Sequence, residues 1–147
     1  MAFLPNGKLT NATISAFEAK IGFRLPQDYR GFLEHYNGGR FTDCRQDIKA
    51  DIISSVTCDN FFGLNLQQGL DLCFWHEEMR VELPLQSLLI GNESCGGFFL
   101  LCCDSKDAGV YFYDHSYSFP SSTDSGNTYL IAPSFEQLAE LIRIPIG

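Results

Sequence analysis

Between Leu83 and His115 the chain carries three apolar runs, Leu88–Ile90, Phe98–Cys103 and Val110–Tyr113, separated by connections that are Gly-rich or bear Asp and Gly. Such punctuation predicts consecutive antiparallel strands. The middle run has no polar alternation, so side chains on both faces of its pleat are apolar, and a central strand covered on both sides is expected. Asp104 to Gly109 supplies turn formers. Asp104 is expected to cap that turn, and Gly109 can take a positive φ that lets the next strand return alongside.

Helical spacing brackets this core. Ile14, Phe17 and Ile21 form one stripe on a helix starting after Asn11 or Thr13 and ending at Gly22. Tyr29, Phe32, Leu33 and Tyr36 repeat at i, i+3, i+4, i+7, with Pro26 at the entry and Asn37-Gly38-Gly39 at the exit. Leu66, Leu70, Cys73 and Phe74 predict a third helix running to about Met79, closed by Pro84. Ser134 with Gln137 forms a capping-box pattern opening a last helix, with Phe135, Leu138, Leu141 and Ile142 inward and Pro145 as the stop. Short strands are expected near Ile52–Thr57, at Asn60–Leu64 and over Thr128–Ala132, and the Ser-rich stretch Ser116–Asn127 reads as a surface loop.

These blocks carry a resemblance. Ile90-Gly91, Gly96-Gly97, an apolar strand ending in Asp104, then Val110-Tyr111-Phe112-Tyr113-Asp114-His115 resembles the SUKH (Smi/Knr-like) superfamily. Phe17-Glu18 with Ile21-Gly22, then residues 25–33 (LPQDYRGFL) and Asn37-Gly38-Gly39, resembles its opening helix pair, and residues 132–138 (APSFEQL) its closing helix. The blocks stand in family order from about Ile14 to Ile142, whereas Cys44–Asn60 and the loop before Gly126–Tyr129 depart from the pattern. The resemblance implies an α+β fold, a central, mostly antiparallel β-sheet flanked by helices. It also implies a bacterial immunity protein that binds a cognate polymorphic toxin domain, often a nuclease, or else, as in a fungal branch, a regulatory scaffold binding an endogenous protein.

Totals narrow the classes. A chain of 147 residues fits one domain that buries roughly two thirds of its unfolded surface. A net charge of −8 disfavours nucleic acid and anionic membranes and suits a basic partner. The longest stretches free of Asp, Glu, Lys and Arg are 11 residues, against about 20 for a membrane-spanning helix. Six cysteines without a C-x-x-C pair, and an N-terminus with no basic start followed by a long apolar segment, point to free thiols in a reducing cytoplasm.

Candidate chemistry is sparse. No glycine pattern makes a phosphate cradle. Cys102-Cys103-Asp104 and Asp114-His115 could meet across a hairpin, but neighbours on a strand point to opposite faces, so no metal or cofactor is expected. Asp114-His115 lacks a nucleophile or third group nearby in sequence, and a turn is the favoured reading over an acid/base pair. The expectation is a non-catalytic binder, monomeric or a weak homodimer. Its basic toxin partner would meet Glu77, Glu78, Glu93, Asp107 and Asp114, with His115 and Tyr117 beside them.

Overall fold

The computed structural model describes residues 3–42, 57–93, 96–116 and 126–144. Among these residues seven strands, β1 (Phe3–Pro5), β2 (Gly39–Phe41), β3 (Asn60–Phe61), β4 (Ser87–Asn92), β5 (Phe98–Cys102), β6 (Gly109–Tyr113) and β7 (Thr128–Ala132), form one sheet. Their spatial order is their chain order, and every neighbouring pair is antiparallel. Four helices, α1 (Asn11–Ile21), α2 (Gln27–Tyr36), α3 (Leu72–Met79) and α4 (Phe135–Leu141), complete the α+β fold.

Local chemistry explains most boundaries. Thr10 caps α1 by accepting from the Thr13 N–H, and Gly22, at φ 88°, closes it. Asn37, at φ 50°, closes α2, and its side chain then exchanges hydrogen bonds with the Leu64 backbone, tying the helix end to the segment after β3. Ser134 caps α4 through the Gln137 N–H, and the Asp28 carboxylate on α2 accepts from the Glu136 N–H, joining the two helix starts. α4 ends at Leu141, before Pro145, where Ile142 leaves helical geometry and Arg143 turns to φ 61°.

The three central runs are β4, β5 and β6. All five β5 residues are buried, as expected for a strand covered on both faces. Asp104 accepts from the Lys106 N–H in the β5–β6 turn, and Gly109 takes φ +150° where an added Cβ would meet the Ala132 carbonyl.

Several expectations needed adjustment. β1 and β2 were not anticipated; each has three residues, too few to show a period. The third helix is split, because Asp71 is extended and caps α3 through the Cys73 and Phe74 N–H groups, leaving Gln68–Leu70 as a separate 3-10 turn. Leu141 is exposed, since the buried stripe runs through Phe135, Leu138, Ala139 and Ile142 and leaves position 141 at its flank. The strand expected near Ile52–Thr57 lies, Thr57 apart, outside the described residues.

Glu18 of α1 is buried. It accepts from the Leu25 N–H at 2.6 Å and pairs with Arg30, which satisfies a charge that burial would otherwise make costly.

Candidate functional site

Side-chain alternation gives the sheet two unlike faces. On one, the register aligns Phe61, Gly91, Phe99, Phe112 and Tyr129 in a row across five strands. Phe32 and Phe135 pack on Phe61 at ring separations of 5.5 and 5.9 Å, so α2 and α4 cover this face. On the other face stand Phe98, Leu100 and Cys102, then Tyr111 opposite Leu130 and Tyr113 opposite Thr128. α3 lies here, with Trp75 at 5.1 Å from Phe98 and stacked on Phe62.

α3 covers only part of that second face. Over β6 and β7, Thr128 and Leu130 are exposed and Tyr111 and Tyr113 half-buried, while their neighbours Phe112 and Tyr129 are buried. The chain leaving α3 borders this open half. There Val81 is 94% and Leu85 90% exposed, and Tyr113 donates its hydroxyl proton to Glu82 Oε1 at 2.5 Å.

Two clefts flank this segment. One, about 440 Å³, is lined by Pro84, Leu85, Leu100, Cys102, Asp104, Asp107, Tyr111 and Thr128. The other, about 550 Å³, lies between Ile21, Gly22 and Phe23 at the end of α1 and His76, Arg80, Val81 and residues 83–87. Pro84 and Leu85 wall both, so an exposed apolar ridge separates two depressions. Contiguous exposed apolar surface rimmed by polar groups is the form of a protein-docking site.

Comparison with known proteins adds to this geometry. The model of the SMI1 / KNR4 family (SUKH-1) matches residues 8–140, nearly the whole chain and all but the first strand of the sheet. The chain belongs to the SMI1 / KNR4 family (SUKH-1). It is also similar to the SPbeta prophage-derived uncharacterized protein YokK of Bacillus subtilis (strain 168), at 28% identity over 160 aligned residues covering 93% of this chain and 77% of that protein.

In this SUKH-1 domain the sequence-predicted contact residues do not form one patch. Glu77 and Glu78 are exposed on α3. Glu93 sits at the β4–β5 connection, where its carboxylate accepts from the Gly97 N–H at 3.1 Å. Asp107 is exposed in the β5–β6 turn, at the opposite end of β5. His115 is exposed at the Phe98 end, its Nε2 3.3 Å from Glu82 Oε1. Tyr117 lies outside the described residues. Asp114 is 0% exposed, and this corrects its expected place on the contact surface. It follows β6 with its N–H bonded to the Asn127 carbonyl, so its side chain is held inside rather than shown to a partner.

Sequence reasoning missed Glu82, Val81, Leu85 and Leu130. The first three follow α3 in a stretch without periodicity; Leu130 was read only as part of a strand. Alternation of Tyr129, Leu130 and Ile131 gives no outward signal, because all three are apolar.

The thiols and the electrostatics agree with this geometry. Cys73, Cys102 and Cys103 are free thiols. Burial pushes the Cys102 thiol up, and the Asp107 and Asp104 carboxylates push it further. Cys103 points to the helix-covered side and is pushed up to about 12, first by burial and then by Cys102, Asp28 and Glu18. Burial and then Cys102 and Asp107 raise the Tyr111 phenol. Negative potential therefore reaches the floor of the smaller cleft. Among the described residues, no group of three or more His, Cys, Asp or Glu could hold a metal ion, and no helix is long and apolar enough to cross a membrane.

Proposed function

We propose that this SUKH-1 domain is a non-catalytic immunity protein that binds a cognate toxin domain through the open half of its sheet and blocks it. The observation that carries the reading is an apolar surface, Leu85, Tyr111 and Leu130, bordered by the carboxylates Asp104 and Asp107. Apolar anchors within a charged rim supply affinity and steering together, and a net charge of −8 favours a basic partner such as a nuclease. The prophage origin of the similar protein YokK suits a gene that travels with its toxin.

Among the described residues, Cys73, Cys102 and Cys103 are not poised as nucleophiles. A nucleophilic cysteine needs a depressed pKa, and here Cys73, Cys102 and Cys103 are all raised.

The test is co-expression with the carboxyl-terminal domain of the large secreted protein encoded immediately upstream, reading growth and co-purification. Rescue with a stable 1:1 complex is the expected result. Absence of both overturns the cognate pairing and favours a scaffold for an endogenous protein.

A further inference from the structure

We infer that the cleft between residues 84–85 and the β5–β6 turn is a receptor for an arginine side chain presented by the partner protein. This deepens the immunity reading and rests on it for the partner's identity. It stands on the cleft itself for the chemistry.

The lining is amphipathic in the sense an arginine requires. Leu100 and Cys102, nearly fully buried, form an apolar floor, and Pro84 and Leu85 form one wall. The half-buried ring of Tyr111 and the exposed Thr128 border the other side. The charged residues in the lining are Asp104 and Asp107, both acidic and both exposed at the mouth. A side chain that fits must therefore place an apolar stem on Leu100 and a cation at the rim. Lysine and arginine both have such a stem. Arginine adds a flat guanidinium that stacks on an aromatic ring and a fork of donors for two carboxylates, which an ammonium does not offer.

The receptor is already organised. The Tyr111 hydroxyl donates to the Asp107 carbonyl at 2.9 Å, the Lys106 N–H to Asp104 Oδ1 at 3.1 Å, and the Asp107 N–H to the Asp104 carbonyl at 3.2 Å. These bonds hold the acidic turn to the strand that supplies the ring, so little ordering remains to be done on binding. Burial first, and then the Asp107 and Asp104 carboxylates, raise the neighbouring Cys102 thiol at the cleft floor. Lys106, exposed in the same turn, is the nearest competing cation in sequence and opposes an incoming guanidinium.

The experiment is a titration of the isotope-labelled protein, followed by backbone amide shifts. The ligands are N-acetyl-argininamide and its uncharged shape-mate N-acetyl-citrullinamide. Argininamide is expected to shift the amides of residues 100–111 and 128–130, with a Kd on the order of 10 mM. Citrullinamide, or the D104N/D107N double variant with argininamide, should bind roughly three- to tenfold more weakly. Lys106→Ala should tighten argininamide. No shifts at the cleft, or equal shifts with the two ligands, would overturn the inference; the latter means an apolar groove without cation selectivity.

A second arm uses the toxin complex. D104N/D107K, in which Asn keeps the acceptor for the Lys106 N–H, should weaken co-purification while leaving the urea midpoint within experimental error. Wild-type co-purification that the double variant does not alter, with a silent titration, removes the arginine receptor and leaves immunity standing. A positive titration with no toxin complex leaves the receptor and removes the immunity reading.

Discussion

Phe98 and Phe99 are neighbours in β5, yet they serve different halves of the molecule. Phe99 faces α2 and α4 within a continuous array of rings, Phe61 at 6.2 Å and Phe112 at 5.7 Å, which Phe32 and Phe135 extend. Phe98 faces Trp75 on α3 and, beyond it, Tyr113 at 6.4 Å and His115 at 5.8 Å, where the cover gives out. One face is closed by α2 and α4; the other is half closed by α3. The difference separates tasks. The closed face holds the fold, and the half-open face keeps apolar surface available without risking the core.

The largest effect should come from the closed face. Phe99→Ala removes a fully buried ring and is expected to lower unfolding stability by about 3–5 kcal/mol, read as a drop in the urea midpoint at unchanged slope. A loss below about 1 kcal/mol would mean that the ring array is not the centre of the core.

Gly97 tests how tightly the closed face is packed at its end. A Cβ there would overlap the Phe112 ring, so Gly97→Ala should cost about 1–3 kcal/mol as that ring is displaced. Near-UV circular dichroism should change with it. Asp71→Ala removes the cap of α3, the helix on the half-open face, and should cost about 1 kcal/mol. Its amide-exchange signature should be confined to α3, leaving α2 and α4 protected.

The vicinal thiols extend the contrast to pH. Cys103 keeps its proton in the native state up to about 12, whereas the unfolded thiol loses its proton near the ordinary value of 9.0. Between those values the unfolded state binds fewer protons, so the thiol's contribution, complete below pH 9, is lost as pH rises towards 12. Thermal unfolding of wild type and Cys103→Ala across pH 8–11 should converge as the pH rises. At the acid end His76, lowered chiefly by burial, acts in the opposite sense. The unfolded state takes the extra proton, so stability declines as pH falls below 6.5.

The smallest effect belongs to the open half. Leu85→Ser and Val81→Ser should change stability by no more than about 0.5 kcal/mol, since both side chains are already in water. Their measurable consequence should be weaker capture of the toxin domain. A large loss of stability from either would show that this surface belongs to the core.

Legibility in the sequence followed the range of the interaction. The stripe Tyr29, Phe32, Leu33 marked α2, and Asn37 and Gly22 marked helix ends through their own backbone preferences. The Ser134–Gln137 cap and the Asp104 turn were readable for the same reason, since donor and acceptor lie within three residues. The candidate site was less legible. Asp107 was singled out as a carboxylate and does line the smaller cleft, but Asp114 stood next to an apparently similar residue, His115, and proved buried. Nothing in a run of apolar residues says that α3 stops short of Tyr111 and Leu130.

What the sequence by itself determined, then, is the set of elements whose causes are local: the three central strands, α2, α4 with its Ser134 cap, and the turn at Asp104. Tertiary structure decided the rest. Pairing with distant strands made β1 and β2 out of three residues each, and packing against α2 turned Glu18 inward to Arg30. The reach of α3 across one face decided which aromatic residues are core and which are surface. These outcomes depend on contacts between residues far apart in the chain, which leave no period or motif at either partner.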